Sequence, residues 1–195
     1  MTNFNAARQF IKMKREHAQE SLSGPGSHLE NTTEIISFIN STLINYNITS
    51  ILDLGCGDWN WFKKVDLRNC SYEGWDCDDV MIDNNKKFGH SFFVKDIITD
   101  EYPDVDLIIC RDVLFHFPKD MGSAVLQKIK RSSKYFLSTT FKDVTENSEI
   151  DNYANIPGWG YYKINLDIEP FNCKDYEIET VYEPKFQRNV SLYKW

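Results

Sequence analysis

Ile51-Leu52-Asp53-Leu54-Gly55-Cys56-Gly57-Asp58 is an apolar run that ends in two glycines around a single residue. An apolar stretch cut off by glycine reads as a buried β-strand running into a sharp turn. Glycine there lets the backbone fold back and lets a ligand approach the main chain, and a helix starting just after it would present free N–H groups. The neighbours decide between two kinds of ligand. A diphosphate turn would carry a third glycine at position 60, where Asn60 stands, and would not set Asp53 and Asp58 beside two phosphates. Two carboxylates suit a ligand that is cationic at this point; a tight turn with no ligand is the simplest alternative.

On either side the chain alternates. Apolar runs at 71–75, 92–94, 107–110 and 135–139 read as further buried strands, and residues 58–67, 78–88 and 119–131 between them are polar and helix-compatible. Strands alternating with helices form a parallel sheet covered on both faces, so the expected fold class is doubly wound α/β. Ahead of the first strand, Asn31-Thr32-Thr33-Glu34 offers capping side chains, and Ile35, Ile36, Ile39, Leu43 and Tyr46 recur at helical spacing. At the far end, 176–182 and 189–195 are strand candidates with too little chain between them for a crossover helix. They predict an antiparallel hairpin at a sheet edge.

Two segments punctuate this pattern. Ser21-Leu22-Ser23-Gly24-Pro25-Gly26-Ser27 cannot continue a helix and divides a helical arm, read over 5–20, from the body. The expectation is a single domain, with residues 1–30 as arm and glycine loop and 31–195 as core. Residues 141–173 have weak periodicity and carry Trp159, Tyr161 and Tyr162; a long irregular stretch of this kind reads as a binding loop.

Composition excludes several classes. A length of 195 residues with 42% hydrophobic side chains suits one globular domain, and no apolar stretch reaches the roughly 18 residues of a membrane helix. Acidic residues outnumber basic ones 29 to 22, and a formal charge of -7 disfavours nucleic acid as partner. The five cysteines include no C-x-x-C pair, which disfavours a disulfide framework or zinc site, so no metal is expected. Cys56 and Cys110 fall in apolar runs as small hydrophobes, consistent with a reducing compartment. With no cationic segment leading into an apolar one at Met1-Thr2-Asn3-Phe4-Asn5, the expected location is cytoplasmic.

More acids fall at strand ends. Asp76 closes the second strand, about 20 residues beyond the first glycine, where a carboxylate can accept hydrogen bonds from both hydroxyls of a ribose. A helix N-cap by Asp76 or Asp78 is the alternative. Asp96, in Val94-Lys95-Asp96-Ile97, stands at the end of the third strand, suited to an adenine amino group or to a surface turn.

Asp53-Leu54-Gly55-Cys56-Gly57, then Asp76, Asp96 and Asp106-Leu107-Ile108-Ile109-Cys110-Arg111-Asp112, together resemble the motif series of class I S-adenosylmethionine-dependent methyltransferases. The resemblance implies a Rossmann-like seven-stranded sheet with a final antiparallel hairpin. It implies S-adenosyl-L-methionine as donor and S-adenosyl-L-homocysteine as product. Asp53, Gly55, Cys56 and Gly57 would surround the methionine part, with the Arg111 main chain beside it. Asp76 would hold the ribose, Asp96 and the Ile97 backbone the adenine, and Cys77 would lie by the adenine face. The whole chain, including Ser23-Gly24-Pro25-Gly26-Ser27, Arg111-Asp112-Val113-Leu114-Phe115-His116 and the Trp159 region, also resembles short bacterial and viral methyltransferases, some associated with sugar or surface-glycan pathways.

Methyl transfer is an in-line displacement, and an acceptor hydroxyl benefits from a base, for which histidine has the best intrinsic pKa near neutrality. His17 and His90 fall on presumed outer positions. His116, just after the fourth strand, is the expected base, with Asp112 as alternative; packing among Phe115, Phe117 and Pro118 is its structural reading. Trp159, Tyr162 and His28 are expected at the acceptor. The absence of an Asn/Asp-Pro-Pro-Tyr/Phe motif after this strand demotes methylation of nucleobase amino groups. The expected activity is O-methylation of a small molecule or a sugar or glycan precursor. A methyltransferase acting on protein or RNA, a non-catalytic S-adenosylmethionine-binding module and an NAD-dependent oxidoreductase are the rivals.

Overall fold

Among the described residues the alternation of apolar runs with polar segments produces seven strands: β1 (Ser50–Leu54), β2 (Ser71–Asp76), β3 (Ser91–Val94), β4 (Val105–Cys110), β5 (Ser133–Thr140), β6 (Glu177–Glu183) and β7 (Arg188–Lys194). They stand in the order β3-β2-β1-β4-β5-β7-β6, with β5–β7 and β6–β7 antiparallel and β1–β2, β2–β3 and β4–β5 parallel. The structure is a computed structural model and describes residues 20–147 and 162–195. Residues 5–19 of the helix read over 5–20, His17 among them, lie outside the described residues, as do Trp159 and Tyr161. The chain divides after Asp100 into two compact units.

In the first unit, Asp53 pairs with Gly74 and Leu54 with Trp75, while Trp75 pairs with Phe93 and Asp76 with Val94. The carboxyl ends of β1, β2 and β3 therefore share one edge. Helix α1 (Thr33–Asn45) buries Ile35, Ile39 and Leu43, one stripe at helical spacing. Its expected side-chain cap is not formed: the Thr32 hydroxyl donates to the carbonyls of His28 and Leu29 instead. Helix α2 (Asp79–Asn85) is capped by Asp78, whose carboxylate accepts the Met81 N–H at 2.8 Å.

The helix expected over 58–67 is replaced by a single 3-10 turn, Phe62–Lys64. Trp59 has φ 55, which interrupts right-handed helix, and Trp59, Trp61, Phe62, Val65 and Leu67 are all buried, a set no one helical face can present. The rings build a local core in which Trp59 packs against Tyr72 (5.5 Å between centroids), Phe88 (4.9 Å) and Phe92 (5.4 Å). His90, expected on an outer position, joins it, 5.1 Å from Trp59 and 5.7 Å from Tyr72.

In the second unit, helix α3 (Lys119–Ser132) buries Gly122, Val125, Leu126 and Ile129. The C-terminal hairpin forms as expected, with each strand shifted one residue toward the turn. Glu183 and Arg188, read as linker, are the last paired positions, and Gln187 takes a left-handed turn conformation with φ 51. Parts of the long segment are tightly held: the Asn147 amide donates to the carbonyls of Asn165 (2.9 Å) and Glu169 (2.7 Å) and accepts the Asn165 N–H at 2.8 Å. Among the described residues, no helix is long and apolar enough to cross a membrane.

Candidate active site

The loop after β1 is shaped by hydrogen bonds from its neighbours. Gly55 (φ 80) and Cys56 both donate their N–H to the Trp75 carbonyl, at 2.8 and 3.0 Å. Gly57 (φ 57) donates its N–H to Asp76 Oδ2 at 2.9 Å and accepts the Asn85 amide at 2.8 Å. Both glycines thus adopt backbone that L side chains rarely take. A side chain at 57 has no room either, since its Cβ would fall 2.1 Å from Ser23 Oγ.

Asp76 organises this rim. Its Oδ1 accepts the Asp78 N–H at 3.0 Å while Oδ2 holds Gly57. Burial pushes its carboxyl up to about 6; the N–H groups of Gly57 and Cys77 pull against that rise and the charge of Asp58 adds to it. Asp53 is 5% exposed and accepts the Tyr72 hydroxyl at 2.7 Å. The Cys56 thiol is raised well above its ordinary value by burial and by Asp76 and Asp53, so it stays protonated.

At the third strand end, Asp96 closes a turn: its Oδ1 accepts the Ile98 N–H at 2.9 Å, and its own N–H goes to Asp100 Oδ2 at 2.8 Å. Ile97 is buried, and Cys77 is half-buried beside Asp76. Asp58, expected to face a ligand together with Asp53, has both oxygens engaged by residues 21–23. His28 is half-buried, and its carbonyl accepts the Asn31 N–H at 3.0 Å.

In the second unit, four charges close a ring. Arg111 Nη2 meets Glu183 Oε1 at 2.8 Å, Glu183 Oε2 meets Arg188 Nε at 2.6 Å, Arg188 Nη1 meets Asp112 Oδ1 at 2.8 Å, and Asp112 Oδ2 meets Arg111 Nη1 at 3.2 Å. The Thr139 hydroxyl donates to Asp112 Oδ1 at 2.7 Å and accepts the Asp112 N–H at 3.1 Å. Asp112 is thereby fixed at φ 61, where a residue with a Cβ is strained. Burial raises its carboxyl, but Arg111 and Arg188 outweigh burial and hold it below the usual carboxylate range. His116 ends the 3-10 turn Leu114–His116, its ring 4.6 Å from that of Phe115. Tyr162 is brought to the same turn: its N–H donates to the Phe115 carbonyl at 3.2 Å and its hydroxyl to the Phe117 carbonyl.

Sequence reading missed Glu183, Arg188, Thr139, Tyr72 and Asn85. The opposite charges at the two ends of the hairpin linker were a signal for the first two. Tyr72 and Asn85 become significant only once strand register and the α2 face are known.

An acid-rich loop with two left-handed glycines and no helix N-terminus after it does not favour a diphosphate; its carboxylate acceptors fit a cationic, hydroxyl-bearing ligand. With the sheet order, this defines a class I methyltransferase fold. The methyltransferase-domain family matches residues 52–134. Over these residues the chain is similar to methyltransferase domains. The magnesium protoporphyrin IX methyltransferase of Synechocystis PCC 6803, with bound S-adenosylhomocysteine, is similar at a TM-score of 0.66 and 14% identity, over 98% of this chain and 95% of that one. The N-methyltransferase NodS of Bradyrhizobium japonicum WM9, also with S-adenosylhomocysteine, gives 0.70 and 13%, over 96% and 98%. A proposed O-methyltransferase from Nostoc punctiforme PCC 73102 gives 0.61 and 14%, over 100% and 69%. No curated protein matches the sequence.

Proposed function

We propose that both units work as one catalytic domain that transfers a methyl group from S-adenosylmethionine to a hydroxyl of a small molecule, in particular a sugar or glycan precursor, in the cytoplasm. The observation that carries this reading is the G-x-G loop held by Asp76 beside the buried Asp53: it offers carboxylates to an ammonium and a ribose, and no cradle for phosphates.

The donor supplies an electrophilic methyl on a sulfonium, and the S–CH3 electron pair stays on sulfur as the O–CH3 bond forms. Asp53, with the turn Gly55-Cys56-Gly57 and the Arg111 main chain, orients the methionine end. Asp76 accepts from the ribose hydroxyls, while Asp96, Ile97 and Cys77 border the adenine. His116 takes the acceptor proton. Asp112 is the weaker candidate for that task, because its oxygens are bound to Arg111, Arg188 and Thr139. Tyr162, tied to the turn that carries His116, borders the acceptor with His28. A charge of -7 supports a small acceptor over nucleic acid.

The test has two stages. Calorimetry with S-adenosylmethionine and S-adenosylhomocysteine is expected to give saturable binding that NAD does not compete. Incubation with methyl-labelled donor and a panel of nucleotide sugars, glycans and metabolites is expected to give one labelled class, abolished in His116→Ala with donor binding intact. Binding without labelling of any acceptor, unaffected by that substitution, would favour a non-catalytic module; labelling of RNA or protein alone would move the acceptor class.

A further inference from the structure

We propose that Asp58 is a positioning residue for the methyl donor, acting through residues 21–27, which it straps across the G-x-G loop. The inference rests on the donor site proposed above and adds a part to it.

Asp58 Oδ1 accepts from the hydroxyls of Ser21 (3.0 Å) and Ser23 (3.2 Å), and Oδ2 accepts the Leu22 N–H at 2.7 Å. The Asp58 N–H returns a bond to Ser23 Oγ at 3.1 Å, so side chain and main chain are both engaged. Two residues on, the Asn60 amide donates to Glu20 Oε1 at 2.7 Å and to the Ser27 carbonyl at 3.1 Å, holding the other end of the segment. Glu20 also accepts the Leu29 N–H at 2.8 Å. Ser21 is 1% exposed, and Gly24 (φ 94) supplies the turn that follows.

The consequence lies at Gly57. The place a Cβ would fill is taken by Ser23 Oγ, so this glycine is required by the strap as well as by its own backbone conformation. From the other side Gly57 is held by Asp76 and Asn85. The loop is thus clamped between ribose-binding carboxylate and strap before any ligand arrives, and a pre-ordered loop binds without the cost of ordering itself. The strap also supplies the Asp58 carboxylate with its hydrogen-bond donors, so the acids of the proposed donor site are Asp53, Asp76 and Asp96. Asn60, where a dinucleotide turn has glycine, is accounted for by the same contact.

The test is S-adenosylhomocysteine binding by the full chain, measured by calorimetry and by dissociation rate, in wild type, D58N, the serine pair S21A/S23A, and the three changes combined. D58N and the serine pair are each expected to weaken binding about tenfold, mainly through faster dissociation, and the combination to be no weaker than either alone. Hydrogen exchange is expected to accelerate at residues 21–29 and not in β1. Additive losses would mean that Asp58 meets the donor directly, and unchanged affinity with accelerated exchange would reduce the strap to a folding element; either overturns the proposal. The serine pair decides alone if D58N does not fold. A wild-type chain that binds no S-adenosylhomocysteine removes the donor reading itself, a result separate from any variant.

Discussion

Glu183 Oε1 stands 2.8 Å from Arg111 Nη2, so a buried carboxylate on the hairpin holds the guanidinium that follows β4. Its other oxygen holds Arg188, and through Arg188 the ring returns to Asp112. A neutral amide at 183 leaves two buried arginines sharing the one carboxylate of Asp112. Breaking a buried pair in this way costs about 3–5 kcal/mol, so Glu183→Gln is expected to lose stability of that order in urea denaturation. The loss should change little with added salt, because Glu183 and both arginines lie out of solvent. A loss below about 1 kcal/mol would show that the ring behaves as an ordinary surface pair.

The contrast between β1 and residues 58–67 shows what the sequence makes legible. Strand β1 occupies the residues read for it, because an apolar run ending at Gly55 states both its burial and its stop. The hairpin was equally readable, since too little chain separates its strands for any other connection. Residues 58–67 form no α-helix despite their helix-compatible polarity, because Trp59 at φ 55 and the buried aromatics around it follow from tertiary packing. In the site, strand-end acids such as Asp76 were readable from spacing. The partners of Asp58 lie in a segment distant along the chain, and those of Asp112 across a hairpin, so no local pattern announces them.

Tyr72 donates its hydroxyl to the buried Asp53 at 2.7 Å, and burial and the Asp53 charge push that hydroxyl's pKa well above its ordinary value. Hydrogen bonds to charged groups contribute about 1.5–3 kcal/mol, so Tyr72→Phe is expected to lower stability within that range. If Asp53 orients the donor's ammonium, the same substitution should weaken S-adenosylhomocysteine binding about tenfold. Thermal melts with and without ligand separate the two effects; intact ligand-induced stabilisation would detach Asp53 from the donor.

The thiols differ in exposure: Cys56, Cys110 and Cys173 are buried, while Cys70 and Cys77 are half-buried. Burial raises the pKa of Cys56 strongly and that of Cys173 to about 11, so neither offers thiolate near neutrality. Brief alkylation of the native chain followed by peptide mass spectrometry should modify Cys70 and Cys77 first. On the proposed placement of Cys77 by the adenine, saturating S-adenosylhomocysteine should protect Cys77 and leave Cys70 unchanged. Equal protection of both, or of neither, would remove Cys77 from the proposed adenine surroundings.

Asp76 gives the chain a pH dependence of definite sign. Burial raises its carboxyl from 3.8 to about 6, so the native state keeps a proton that the unfolded chain releases. Stability is therefore expected to fall as pH rises from about 4 to about 6, with the full loss present above that window. Ligand binding should run the other way. In the proposed site the ribose hydroxyls donate to the ionised Asp76 carboxylate, so affinity for S-adenosylhomocysteine should drop as pH falls below about 6, by at most about tenfold per unit. Binding near that pH should release a proton, detectable by calorimetry in buffers of different ionisation enthalpy. Asp76→Asn should bind weakly at every pH and without this slope, since an amide presents one acceptor to two N–H groups that Asp76 now satisfies with two oxygens. An affinity that stays flat across the window in the wild-type chain would mean that the ribose is held elsewhere, and that Asp76 serves only to shape the loop at Gly57.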